Sequence, residues 1–392
     1  MRVLTLSWEY PPRVVGGLAR HVEELSEAQV KAGTEVHVVT FPHPNTPDES
    51  TPEGVHVHRV GFPDVKAPDF LSDMLDMNMR LMSRAFALHQ EQPFDLIHAH
   101  DWLVAHAAVG LKRALGLPLV VTIHATESGR NQGIEGPLQT YIHQMEWLAN
   151  YESWRTIVCS HAMQRELMRL FKVPADKLDI IPNGVKGTKL NTDFDRAALR
   201  SRFAHESEPI IMSVGRMVAE KGIGVLVAAT PRVLERHPNA RFVICGKGPG
   251  LEEYRHLAHA LGVADRVHFT GYIDDDTLYQ LFQVSDAAVF PSLYEPFGIV
   301  ALEGMAAGKA TIVSDVGGMA EIIQDGVNGL EVAPDDPGAL AHAIHRVLSD
   351  INWGNALGTA GRRDTEQIYN WDLIAAQTAD VYAKVMGDQP KG

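Results

Sequence analysis

Residues 286–306 read DAAVFPSLYEPFGIVALEGMA, and this stretch decides the fold. An apolar run, DAAVFPS, ends at a proline and a serine; a helical pattern, IVALEGMAAG, opens after the turn LYEPFG. A buried strand feeding a helix across a short turn is the repeating piece of a parallel sheet, because parallel neighbours need a crossover. At such a helix start the backbone N–H groups of Phe297, Gly298, Ile299 and Val300 are expected to lie free, and the helix dipole favours anions and hydroxyl oxygens there. Gly298 is expected to allow close approach, and the carboxylates of Glu295 and Glu303 flank the turn.

Outward from this turn the same alternation repeats. The second half gives the strand-like runs PIIMSVG, ARFVICG, RVHFTG, DAAVFPS, ATIVSD and LEVAP. The first half gives RVLTLSW, EVHVVTF, VHVHRV, DLIHAH, LVVTIH, TIVCS and LDIIP, with a helix expected near residues 17–33. Right-handed crossovers between these runs imply two α/β, Rossmann-like doubly wound domains, with ligands at the carboxyl ends of the strands. The expectation is two facing sheets with a cleft between them. A polar stretch without periodicity, KGTKLNTDFD, follows IPNGV and marks the boundary, giving domains at 1–188 and 189–368. A C-terminal helix within 369–392, carried by WDLIAAQTADVYAKVM, is expected to pack back across the linker.

Two domains also suit a chain of 392 residues. Hydrophobic residues at 45% and charged residues at 21% mark a packed globular protein, and a formal net charge of -14 argues against nucleic acid or anionic lipid as the main partner. The opening MRVLTLSWEY reads as a strand and not as a secretion signal, and there is no long apolar run, so membrane contact is expected to be peripheral at most. Cys159 and Cys245 sit in apolar strand-like runs, which suggests a reducing, cytoplasmic setting.

Several residues invite a chemical role. SVGRMVAEKG places Arg216 and Lys221 after a strand, where two cations can neutralise a diphosphate without a metal ion. ICGKGPG supplies Gly246, Lys247 and Gly248 in a loop that a nucleotide can approach, though it lacks the third glycine of a dinucleotide fingerprint. Gly16 and Gly17 form an expected tight loop before the helix GLARHVEEL. DLIHAHDW sets His98 and His100 on one strand face, with Asp101 and Trp102 at the end, and His124 closes LVVTIH. His98, His100, Asp101 and His106 are metal-ligand types, but their spacing follows no recurring pattern, and no metal is expected. Asp274 to Asp276 read as a helix cap and a solvated turn. The methionine-rich helix at 70–88 reads as an adaptable core or interface element, with an acceptor or membrane surface as the other reading.

EPFGIVALE resembles the paired-glutamate signature of the retaining family-4 glycosyltransferases, which have the GT-B fold. VVGGLARHV, AHDW, TIHATE, IPNGV, GRMVAEKG and ICGKGPG match in the right order. The resemblance implies transfer of a sugar from a nucleotide-sugar donor, without metal or other cofactor, by a same-face mechanism in which the leaving phosphate helps deprotonate the acceptor. It implies catalytic positions for His124, Glu295, Arg216 and Lys221. It implies donor contacts from Gly16, Gly17, Arg216, Lys221, Gly246, Lys247, Gly248, Tyr272, Ile273, Glu295, Phe297, Gly298, Ile299, Val300 and Glu303, with Glu303 on a ribose diol and Tyr272 and Ile273 beside the base. It implies acceptor contacts from His100, Asp101 and Trp102, with a sugar stacked on the indole, and cleft closure that excludes water.

The N-terminal motif with AHDW and TIHATE is most similar to glycogen-synthase-like α-glucosyltransferases, including those making maltose 1-phosphate. This implies ADP- or UDP-glucose as donor and an α-glucan or sugar phosphate as acceptor. Lys186 follows IPNGV where relatives commonly carry an acidic residue, and VVGGL lacks the lysine of typical starch and glycogen synthases. Other readings are a mannosyl- or N-acetylglucosaminyltransferase acting on a lipid or small metabolite, a nucleotide-sugar 2-epimerase, and a silent nucleotide-sugar-binding protein.

Overall fold

A computed structural model describes residues 1–63, 65–187 and 193–387. The chain forms two compact units, Met1–Asn183 with Trp371–Gly392, and Gly184–Asn370. The domain boundary expected at 188/189 falls in 188–192, outside the described residues; the chain passes from the first unit to the second after Asn183 and returns after Asn370.

The first unit's sheet is built from β1 (Arg2–Ser7), β2 (Glu35–Thr40), β3 (Glu49–Ser50), β4 (His56–Arg59), β5 (Leu96–His100), β6 (Leu119–Ile123), β7 (Arg155–Val158) and β8 (Leu178–Ile180). Their order is β3-β4-β2-β1-β5-β6-β7-β8. All neighbours are parallel except the two-residue β3, which pairs antiparallel with β4 and sets Glu49 against His58. Nothing in the polar stretch around 43–53 signals that edge strand. The β-branched runs are buried along their length, as expected for a parallel sheet with covered faces. Order reverses between β1 and β5, and in such a sheet the crevice outside the strand ends opens at that reversal.

The second unit holds β9 (Ile210–Val214), β10 (Arg241–Cys245), β11 (Val267–Gly271), β12 (Ala287–Phe290), β13 (Ala310–Ser314) and β14 (Leu330–Val332), ordered β11-β10-β9-β12-β13-β14 and parallel throughout. Counted within the unit this is the 3-2-1-4-5-6 order of a dinucleotide-binding fold, with its reversal between β9 and β12. Ile211, Phe242, Ile244, Val289 and Ile312 pack beneath the helices Ile223–Leu234 and Pro337–Ser349. The second of these helices starts at Pro337, with the Asp336 carboxylate accepting from Gly338 and Ala339 N–H.

The helix Trp371–Gly387 belongs to the first unit, where Trp371, Ile374, Val381, Tyr382 and Val385 share a core with Val3, Leu25, Leu96, Val120 and Ile157. The Tyr382 hydroxyl lies 2.6 Å from His98 Nδ1 and accepts from Gln29 Nε2 at 2.9 Å. His98 is thereby a core residue, with its other nitrogen on Thr122 Oγ1. The methionine-rich helix spans Phe70–Glu91, capped by Asp69; Met74 and Met77 are buried and Met79 is exposed. Cys159 and Cys245 are buried and are not joined in a disulfide. Among the described residues no helix is long and apolar enough to cross a membrane.

Candidate active site

In the second unit the candidate residues converge at the reversal of strand order. Arg216 and Lys221 follow β9, Gly246 to Gly248 follow β10, Tyr272 and Ile273 follow β11, and Glu295 follows β12. Because the strands are parallel, these loops share one edge of the sheet. Lys221 Nζ donates to Glu295 Oε2 at 2.6 Å, and Ser292 Oγ lies 3.4 Å from the same oxygen. Arg216 is more exposed and donates to Glu220 Oε1 at 2.9 Å. Lys247 Nζ lies over the exposed Tyr272 ring, 5.4 Å from its centroid, while Ile273 is partly buried. Asp274 caps the next helix by accepting from Thr277 N–H.

The loops after β9 and β10 interlock. Met217 N–H donates to Lys247 O at 2.9 Å, and Gly250 N–H returns a bond to Met217 O. A Cβ on Gly246 would stand 1.9 Å from Gly215 O, so only glycine allows the two backbones to meet. The helix Ile299–Ala306 starts after Gly298, whose φ is +113°; Phe297 and Glu303 are buried, and Ile299 and Val300 form the first turn. Their amides lack carbonyl partners within the helix by geometry alone, which leaves a donor-rich helix start beside Glu295.

In the first unit the corresponding edge carries Gly16 and Gly17 after β1, Asp101 and Trp102 after β5, and His124 after β6. The Glu9 carboxylate accepts from Val15 N–H at 2.8 Å and Gly16 N–H at 3.0 Å, so the glycine loop is held by an acidic group. Asp101, in a backbone conformation with φ +61°, accepts the His124 N–H at 2.8 Å. Burial pushes the Asp101 carboxyl up to about 6. His124 Nε2 lies 3.2 Å from His100 Nδ1, and burial holds the His124 imidazole down to about 3, hence neutral near pH 7. Trp102 is buried, with its ring edge-on to Phe70 at 6.3 Å.

Five residues escape a sequence reading. His21 stands 4.6 Å from the His124 ring, and its Nδ1 pairs with Asn183 Oδ1 at 2.7 Å, which ties VVGGLARHV to IPNGV. Glu9 is one acidic residue before PP, with no spacing cue. Glu146 is buried on the helix Gly136–Glu152, accepts the Glu127 N–H at 2.7 Å, and is pushed by burial up to about 8. Gly317 and Gly318, after β13, brace the Glu295 turn: Gly318 N–H donates to Glu295 O at 3.0 Å, and a Cβ on Gly317 would stand 2.0 Å from that oxygen. The GG pair in SDVGGM was the available signal for the last two.

The family described as "Glycosyl transferases group 1" matches residues 195–364, and "Glycosyltransferase Family 4" matches residues 15–187. An uncharacterized glycosyltransferase of Methanocaldococcus jannaschii is 38% identical, over 98% of this chain and 99% of its own. A glycogen synthase of Mycobacterium tuberculosis is 36% identical, over 97% of this chain and 94% of its own. The solved sucrose-phosphate synthase of Thermosynechococcus elongatus superposes with a TM-score of 0.86 at 28% identity, covering 98% of this chain and 99% of that one. Fold and relatives together define a glycosyltransferase of the GT-B fold, transferring a hexose. The chain belongs to glycosyltransferase family 4, among glycogen-synthase-like members.

Proposed function

We propose that this protein is a retaining, metal-independent glucosyltransferase that uses ADP-glucose or UDP-glucose and extends an α-glucan or glycosylates a small sugar acceptor such as a sugar phosphate. The observation that carries the reading is the meeting of Lys221, Glu295 and the helix start of Ile299–Ala306 at the second unit's strand reversal. Cations and free amides there suit a departing diphosphate and charge developing on its oxygens. The similarity to a glycogen synthase over nearly the whole chain supports glucose as the sugar.

Arg216 and Lys221 hold the diphosphate, and Glu295 with the amides of Phe297 to Val300 orients the sugar. Lys221 exchanges part of its contact with Glu295 for the phosphate as donor enters. The loop of Gly246, Lys247 and Gly248 and the surface of Tyr272 and Ile273 receive the nucleotide, and Glu303 answers the ribose diol. Gly16 and Gly17 pass close to the phosphates. His124, neutral, hydrogen-bonds the transferred sugar, while His100, Asp101 and Trp102 shape the acceptor side. Same-face attack stabilised by fixed donors needs no enzymic nucleophile. The protein is placed in the cytoplasm, where both nucleotide sugars and glucans occur.

The test is incubation in a chelator with ADP-glucose, UDP-glucose and GDP-mannose, each with maltooligosaccharides or glucose 1-phosphate. Product mass and anomeric NMR couplings are read. An α-linked glucose product supports the reading. No transfer from a glucose donor, or a β-linked product, overturns it and sends the search to mannosyl or N-acetylglucosaminyl donors.

A further inference from the structure

The loop between β1 and the glycine pair carries an arginine that the proposed transfer leaves unused. Trp8 is the first residue after β1 and Phe41 the first after β2, and their rings meet edge to face with centroids 6.3 Å apart. The Arg13 guanidinium lies over both, its central carbon 5.1 Å from the Trp8 centroid and 5.5 Å from that of Phe41. Contact with two rings holds the flat cation at the carboxyl edge of the sheet, the edge that also carries Gly16, Asp101 and His124.

The rings fix this cation, but no carboxylate neutralises it by contact. Among the described residues Arg13 makes no ion pair, and its one hydrogen bond runs from Nη1 to Pro42 O at 3.4 Å, long for such a contact. Nε is enclosed and has no partner, while the side chain as a whole is partly exposed. Nε and Nη2 form the edge of a guanidinium that grips two oxygens of one oxyanion, and here both are unbonded. His43, next to Pro42, likewise keeps an enclosed Nδ1 without a partner. The acidic groups whose charges bear on Arg13 are Glu9 and Asp73, and neither bonds it; the Glu9 carboxylate is taken up by the amides of Val15 and Gly16.

We propose that Arg13 binds the phosphoryl group of a sugar-phosphate acceptor and so selects that class of acceptor over a neutral α-glucan. This rests on the glucosyl-transfer reading and narrows its acceptor. A glucan presents hydroxyls only; laid over Arg13 it would strip water from a charge and return none of the opposite sign, which is a net cost. A phosphoryl group brings the opposite charge and oxygens spaced for the Nε–Nη2 pair. The placement fits as well. The ends of β2 and β6 are three strand spacings apart, about 14 Å, an interval that a transferred hexose at His124 and one acceptor sugar with its phosphoryl group span between them.

The full-length protein is titrated calorimetrically with glucose 1-phosphate, glucose 6-phosphate and maltotriose, with and without ADP or UDP, and separately with each nucleotide alone. One of the sugar phosphates is expected to bind at least about tenfold more tightly than maltotriose. Arg13→Gln is expected to weaken that binding by about 10–100-fold, the worth of one charged hydrogen-bonding pair, and to change maltotriose and nucleotide affinities by less than about twofold. Arg13→Lys keeps the charge but loses the paired N–H edge, and is expected to fall between the two. Because a change at Arg13 also removes its ring contacts, retained nucleotide binding serves as the folding control. Sugar phosphates that fail to bind or bind no better than maltotriose, or that bind Arg13→Gln unchanged, would overturn the proposal. So would an equal loss of nucleotide affinity, which would assign the cation to the donor diphosphate, or a loss of every ligand together with Tm, which would make it structural. No transfer is read, so failure here is separable from failure of the glucosyl-transfer reading.

Discussion

Lys221 and Glu295, 74 residues apart in sequence, are joined by a 2.6 Å ion pair between the loops that follow β9 and β12. The pair spans the reversal of strand order in the second unit, so each residue fixes the other at the edge to which the proposed function assigns the donor diphosphate. Lys221→Ala removes the cation and leaves Glu295 without it. The expected result is a fall of about 100- to 1000-fold in kcat, the range seen when one preorganised donor to developing charge is lost. Glu295→Gln should lower kcat with less effect on donor binding. Steady-state kinetics on both variants and the double variant checks this; strict additivity would show that the pair does not act as a unit.

Asp101 accepts the backbone N–H of His124, an arrangement that fixes the imidazole through its main chain. Asp101→Asn keeps an acceptor oxygen at that place, whereas Asp101→Ala does not. The alanine variant should lose about 100-fold in kcat/KM, as misplacement of a reacting group by about 1 Å does, and the asparagine variant only a few-fold. Equal losses in both would mean that the carboxylate charge, and not the hydrogen bond, matters.

Burial raises the Glu146 carboxyl from its ordinary 4.5 to about 8. Between those values the folded chain keeps a proton that the unfolded chain releases. The associated stability is full below about pH 4.5 and declines, by at most about 1.4 kcal/mol per pH unit, as pH rises to 8. Glu146→Gln retains the bond from Glu127 and removes the titration. Its Tm should match the wild type near pH 5 and exceed it by several degrees near pH 8, at about 2–4 °C per kcal/mol. A gap that stays constant across this range would refute the assignment.

Gly317 has φ +53° and passes so close to Glu295 O that a methyl group has no room. Gly317→Ala should destabilise the second unit by at least about 2 kcal/mol and make the 291–298 turn susceptible to proteolysis. Gly326→Ala is the matched control: its φ is +73° but nothing lies within 4 Å of an added Cβ, so about 1 kcal/mol is expected. Equal melting shifts would show that the clash with Glu295 is relieved at no cost.

The parallel runs and the Glu295 turn were legible because they depend on local pattern: a β-branched run long enough to cross a sheet, then a helix opening on a glycine. The family-matched motifs GRMVAEKG, ICGKGPG and EPFGIVALE reveal their residues, but not that Lys221 meets Glu295, since that contact arises from the sheet order. His21, Glu9 and Glu146 were invisible for the same reason. Each is an unremarkable polar residue on its own segment and acquires a role only when another loop arrives beside it. Asp101 and Trp102 were read from their motif as acceptor residues; what the motif did not reveal is that Asp101 also accepts from the backbone of His124 and that Trp102 is largely buried. The edge strand β3 had no signal because two residues carry no periodicity.

The helix Trp371–Gly387 closes a core whose other walls are Val3, Leu25, Leu96, Val120 and Ile157. During synthesis on the ribosome those walls emerge first, yet they wait for some 190 further residues before their last partner appears. Gly184–Asn370, by contrast, is contiguous and can finish folding as soon as it has emerged. The unit begun first is therefore the unit completed last, and in the interval its unfinished apolar surface is what a chaperone would hold.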